Sequence, residues 1–164
     1  MKKIKSILLL TLAIGTITLN SCSKSKDNTV ISTTITASID GTATTFNNAF
    51  ALTGTVGGAK FTNVQGTASN KAVISITLSG TIIAGKTYTS TATAVSDRPL
   101  LLYAPNDTDD YLNDDSNSAK IVTVTVTSIS STNIQGTFKG NVTAGFGKVK
   151  AITDGKFNVA ITSK

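Results

Sequence analysis

The chain has very few of the side chains that carry most enzyme chemistry. It contains no histidine, glutamate or tryptophan, only one cysteine (Cys22) and only one arginine (Arg98). Without histidine, Ser-His-Asp and Cys-His catalysis are excluded, and zinc, copper and non-haem iron sites lose their usual ligands. The domain after residue 30 also has no Ser-x-x-Lys element. We therefore expect a protein that is not an enzyme, and a hydrolase with a pair of aspartates is the one catalytic alternative.

The first residues have the pattern of a bacterial lipoprotein signal. A lysine patch at residues 2–5 precedes an apolar run at residues 7–19, which is shorter than the roughly 20 residues of a membrane-spanning helix. The run ends in Leu19-Asn20-Ser21-Cys22, which has the form of a lipobox. This pattern predicts a cleaved signal peptide over residues 1–21 and a diacylglycerol thioether on Cys22. A second, palmitate-type chain is expected on the new amino terminus, because one chain alone anchors a protein only marginally. The alternative is an ordinary secretory signal followed by an unrelated cysteine.

Residues 22–30 are polar and are interpreted as a tether between the lipid and a domain at residues 31–164. Ser23 differs from the aspartate of an inner-membrane retention signal, which favours the outer membrane and leaves the leaflet open. Loss of the signal removes three lysines and lowers the formal charge from +6 to about +3. This charge is too small to indicate a nucleic-acid partner.

The domain itself has the pattern of a β protein. β-branched residues, which favour strands, are abundant. Apolar and polar residues alternate with a period of two at residues 34–39, 72–79, 122–127, 134–142 and 157–161. The Asp-Gly pairs at Asp40 and Asp154 predict hairpin turns. We predict an all-β fold, either an antiparallel β-sandwich or a partly closed meander barrel of about nine to eleven short strands.

A first candidate ligand site lies at residues 97–105, with Tyr111 of the following acidic stretch as a further candidate residue. Arg98 is suited to an acidic or sugar ligand, and Tyr103 and Tyr111 are candidate ligand-contacting aromatic residues, with Tyr103 as a stacking face. The alternative, which we favour, is an edge strand bounded by Pro99 and Pro105.

A second candidate is an acidic stretch at residues 106–117. Five of the nine aspartates lie there, and they are weak calcium candidates: Asp107, Asp109, Asp110, Asp114 and Asp115. The order of an EF-hand is absent, because Tyr111 occupies the fifth position of a loop from Asp107 and no glutamate closes it. We favour a solvated loop without metal, and expect no cofactor beyond the covalent lipid.

Several segments together resemble an uncharacterised family of small Bacteroidota lipoproteins with a threonine-rich β domain. The resemblance lies at residues 35–46, 82–88, 134–140 and 150–159, within a match from about residue 33 to residue 161. It implies a fold and an envelope location. It assigns no catalytic or binding residue.

These patterns together predict a lipid-anchored envelope protein whose β domain binds a glycan, a small ligand or an envelope protein. One alternative is a structural or accessory subunit of an outer-membrane complex. Another is a lipocalin-like carrier or inhibitor, which would need strands closed around an apolar cavity.

Overall fold

A computed structural model describes residues 33–113 and 121–163 of the chain. The predicted signal peptide, Cys22, the tether and the aspartates at 114 and 115 lie outside these residues. The described residues contain ten strands: β1 Ile35–Ile39, β2 Thr42–Val56, β3 Ala59–Ala68, β4 Val73–Ser79, β5 Thr87–Thr89, β6 Leu100–Ala104, β7 Tyr111–Leu112, β8 Thr123–Ile129, β9 Asn133–Thr143 and β10 Val149–Ser163. Two three-residue 3-10 turns are the helical elements of this part of the chain. None of the described helices has the length and apolar character needed to cross a membrane.

The ten strands form one mixed sheet, which confirms the all-β class. Hydrogen bonding closes eight of them into a ring in the order β1-β2-β3-β4-β6-β7-β9-β10, and β8 and β5 continue the sheet from β9. All pairings are antiparallel except one, because β2 and β10 run parallel where Ala51 faces Ile161. This one parallel pairing makes the otherwise antiparallel sheet a mixed one. The reason is that β1 is only five residues long, so its two antiparallel neighbours meet beyond its end.

The ring encloses a core built from the alternating apolar positions. Ile74, Ile76 and Leu78 of β4 are fully buried, as are the valines at 122, 124 and 126. Glycines let aromatic rings approach the sheet backbone closely. A Cβ atom at Gly136 would lie 2.5 Å from Cζ of Phe157, and one at Gly155 would lie 2.7 Å from the Phe138 ring. The interior at this level is thus filled by side chains.

Of the two hairpin turns predicted at Asp-Gly pairs, the structure confirms one and contradicts the other. Asp40 and Gly41 have φ angles of 49° and 84° and form the predicted hairpin turn between β1 and β2. Asp154-Gly155 is not a turn, because both residues lie inside β10, where the register with β9 shifts between Ile152 and Gly155. Asp154 has a φ of 54°. The left-handed conformation that suits a tight turn also suits a β-bulge, and here it forms the bulge.

Candidate ligand-binding surfaces

The structure does not assemble Arg98, Tyr103 and Tyr111 into an exposed site. Tyr103 is 7% exposed and Tyr111 is 5% exposed, with their ring centroids 6.2 Å apart. Phe46 packs edge-on against Tyr103, and burial raises the pKa of the Tyr103 phenol above its usual value. Tyr103 therefore does not offer the expected stacking face, because its aromatic side chain lies on the inward side of β6. Arg98 is half-buried, and its Nε donates a hydrogen bond of 2.7 Å to the carbonyl of Ala92.

The favoured alternative for this segment is confirmed only in part. Pro99 and Pro105 flank β6, as predicted. However, β6 is not an edge strand, because it pairs with β4 on one side and with β7 on the other. The second pairing covers only Leu102 and Tyr103, so β7 is a short link in the ring.

The described part of the acidic stretch is organised by an amide side chain. Oδ1 of Asn106 accepts hydrogen bonds from the backbone N–H and the hydroxyl of Thr108 and from the N–H of Asp109. Asp109 also lies 3.5 Å from Nζ of Lys148. Within residues 33–113 and 121–163, no three acidic side chains are grouped in a way that could hold a metal ion. The metal-free loop stays a prediction and calcium its weaker alternative, since two of the candidate ligands lie outside the described residues.

A row of threonines crosses the outer surface of six adjacent strands. The registers align Thr87 of β5, Thr125 of β8, Thr137 of β9, Lys156 of β10, Thr36 of β1 and Thr45 of β2. We call these six residues the threonine row. Each is exposed or half-buried, and the hydroxyls of Thr87 and Thr125 lie 2.8 Å apart. Neighbouring strands are about 4.8 Å apart, so the row spans roughly 24 Å.

Shallow grooves run along this surface. One of about 320 Å³ is lined by Gln135, Asn158 and members of the row, and a second of about 380 Å³ is lined by Thr123, Lys139 and Asp154 as well as members of the row. Together with the row, the side chains of Thr123, Gln135, Lys139 and Asn158 form what we call the threonine face. Its groups are hydroxyls, amides and ammonium ions, which offer hydrogen-bond donors and acceptors in a closely spaced array.

A separate cleft of about 660 Å³ opens at the end of the ring where β2 turns into β3. Thr53, Thr55, Lys60 and Thr62 of this hairpin line one part of it, and the apolar side chains of Ile82 and Ile129 also line it. The cleft therefore has both polar and apolar lining groups. The cleft is open to solvent, and the fully buried core side chains do not line it.

The sequence predicts that the threonines of the threonine face point outward, but it does not predict which of them lie side by side in the sheet. Threonines alternate with valines at residues 122–127, so their outward orientation follows from the pattern. Which threonines become neighbours depends on pairings such as Thr36 with Lys156, between strands near opposite ends of the domain. A single sequence does not specify such a register.

No family model, curated protein or solved structure matches the chain. The chemistry of its own surfaces is thus the basis for assigning a function.

Proposed function

We propose that the protein is a lipid-anchored, non-catalytic glycan-binding domain of the bacterial cell envelope. We further propose that it belongs to the family of small Bacteroidota lipoproteins that its sequence resembles. The threonine row, with the grooves beside it, is the observation that carries the binding function.

The chemistry of the threonine face suits a polyhydroxyl ligand. A threonine hydroxyl both donates and accepts a hydrogen bond, and the amides of Gln135 and Asn158 offer one group of each kind. Sugar hydroxyls also donate and accept hydrogen bonds, so they can pair with these side chains without any charged group. A row of roughly 24 Å accommodates several sugar units of an extended polymer. The grooves are open along the surface, which suits a chain that continues beyond the site.

The lipobox supports the location. Lipidation of Cys22 would hold the mature protein at a membrane, most consistent with the outer membrane because of Ser23. An extended residue spans at most about 3.5 Å, so the tether over residues 22–30 allows the domain to reach roughly 30 Å from the bilayer. Glycans attached to the cell surface or held in the envelope lie within that distance.

Binding is tested on a glycan array and then by calorimetry with the best ligand. The variant Thr125→Val/Thr137→Val removes two hydroxyls and keeps the β-branched shape of both side chains. Each hydrogen bond contributes about 1 kcal/mol, so we expect the affinity to fall roughly thirtyfold. The control is Thr162→Val on β10, an exposed position six residues along the strand from Lys156 and outside the threonine face. No binding to any glycan, or an equal loss in the control, would contradict the proposal.

The anchor is tested separately by fractionating cells that express the parent chain or Cys22→Ala. We expect the parent to incorporate labelled palmitate and to partition into the detergent phase, and the variant to do neither. Equal labelling of the two chains would show that Cys22 is not the lipidated residue.

A second candidate function is transport or sequestration of a small ligand, and the cleft at the β2–β3 end favours it. Its apolar contacts at Ile82 and Ile129 would hold an apolar group, and the threonine hydroxyls would hold a polar group. Ile129→Asn would weaken binding of such a ligand and leave glycan binding unchanged, which separates the two functions.

A further inference from the structure

Two lysines on the threonine face determine what kind of glycan fits it. We infer that the ligand is an acidic polysaccharide, with carboxylate or other anionic groups that bind between Lys139 and Lys156. This inference rests on the proposed glycan-binding function and specifies its substrate class.

The sheet places the two lysines beside each other. Lys156 faces Thr137 across the β9–β10 pairing, and Lys139 lies two residues along β9 from Thr137 on the same outer side. Diagonal neighbours of this kind are about 7–8 Å apart in a regular antiparallel pair, and here Lys139 faces the bulge between Ile152 and Gly155. Both side chains are exposed. A single anionic group, or two on successive sugars, can therefore contact both ammonium groups.

Neither lysine has a carboxylate partner in the described part of the chain. The ion pairs formed there are Lys86 with Asp97, Lys148 with Asp109 and Lys150 with Asp40. Asp154 lines the same groove, and its Oδ2 accepts a hydrogen bond from the hydroxyl of Thr153. The groove therefore holds two ammonium groups and one carboxylate, and a bound anion would balance the remaining positive charge.

The grooves meet at these two residues. Both lysines line the 380 Å³ groove. Lys156 also lines the 320 Å³ groove on one side, and Lys139 also lines a groove of about 270 Å³ on the other. The three grooves thus form a continuous path with the two lysines at its middle and with threonines and amides on both sides. An acidic polymer that follows these grooves would run along β9 and cross the threonine row, with its charge at the centre and its hydroxyls over the threonines and amides on either side.

Lysine contributes a hydrated point charge, unlike the fixed fork of arginine. Exposed charges of this kind are strongly screened, because the Debye length is about 10 Å at 0.1 M salt and about 3 Å at 1 M. Binding to the acidic polymer should therefore depend steeply on salt. Binding through hydroxyls alone should not.

The experiment uses the purified full-length lipoprotein in detergent and two forms of one polymer, polygalacturonate and its fully methyl-esterified, neutral counterpart. We expect polygalacturonate to bind at least tenfold more tightly at low salt and to lose this advantage at 1 M NaCl. The variant Lys139→Gln/Lys156→Gln should bind both forms equally. The charge-matched control, Lys71→Gln/Lys148→Gln, changes two exposed lysines that line neither the threonine face nor the β2–β3 cleft and should behave as the parent. Circular dichroism verifies that both variants are folded.

The outcomes separate this inference from the proposed function. Equal, salt-independent binding of both polymers by the parent would overturn the acidic ligand and leave glycan binding intact. An equal loss in the control variant would also overturn it, because the effect would then be one of overall charge. If the parent binds neither polymer and no glycan on an array, the proposed function itself fails.

Discussion

Asp40 connects the β1–β2 turn to β10 through its carboxylate. Its oxygens accept hydrogen bonds from Nζ of Lys150 at 2.7 Å and from the N–H of Ala151 at 2.8 Å. The bond from Lys150, and then that from Ala151, hold the pKa of Asp40 below its usual value of 3.8. The folded chain therefore stabilises the ionised carboxylate of Asp40 more than the unfolded chain does.

This lowered pKa predicts a pH-dependent effect of Asp40→Asn. A lowered folded-state pKa contributes stability that is present above the unfolded pKa and is lost as the pH falls through the folded value. Asparagine keeps the left-handed turn conformation and an acceptor oxygen, but loses the charge. We expect the variant to melt below the parent at pH 7, and this difference to shrink as the pH falls through the lowered pKa of Asp40. Thermal melts over a series of acidic pH values measure it, and a difference that does not change with pH would contradict the explanation.

Gly136 is a position at which no side chain fits. A Cβ atom there would lie 2.3 Å from the carbonyl oxygen of Thr125 and 2.5 Å from the Phe157 ring. We expect Gly136→Ala to lower the free energy of unfolding by about 2 kcal/mol or more, as overpacking of a core does. The control is Gly145→Ala, where no atom lies within 4 Å of the added Cβ. Urea titrations of both variants test this, and similar stabilities would contradict the close packing.

At the scale of the elements, the strands were predictable where one face is buried. Alternation identified the inward sides of β4 and β8, because β4 buries every second residue and β8 does so as far as Val126. It failed at Asp154-Gly155, since a β-bulge and a hairpin turn need the same left-handed backbone. Tyr103 was a candidate for ligand contact beside the favoured edge strand, because sequence alone does not distinguish a tyrosine that packs in a core from one that contacts a ligand. The threonine face was not predictable, because it depends on register.

The loop between β6 and β7 gives a prediction about metal. Asn106 already organises its turn through three hydrogen bonds, and Asp109 pairs with Lys148. A turn held in this way does not need a cation. We expect the melting temperature to be the same in calcium and in chelator. An upward shift with calcium that is lost in Asp107→Asn/Asp109→Asn would establish a metal site in the loop.

At the scale of the whole molecule, the ring joins the two ends of the domain. β1 lies between β2 and β10, so that Ile35 pairs with both Phe46 and Phe157. β10 contacts β1, β2 and β9, which makes it a central strand in the ring. No strand of the ring can separate without breaking two ladders. Local openings should therefore be unfavourable, and the domain should unfold as one unit.

The three tyrosines allow a test of this cooperativity. Tyr88, Tyr103 and Tyr111 are all buried, the first outside the ring on β5 and the others within it on β6 and β7. Near-ultraviolet circular dichroism of these residues reports on core packing, and the far-ultraviolet signal reports on the strands. We expect the two transitions in urea to coincide. Ile152→Val in β10, a buried position, removes one methylene at a cost of about 1 kcal/mol and should shift both midpoints equally. If the tyrosine signal moves and the strand signal does not, β10 does not couple the ring to the rest of the sheet.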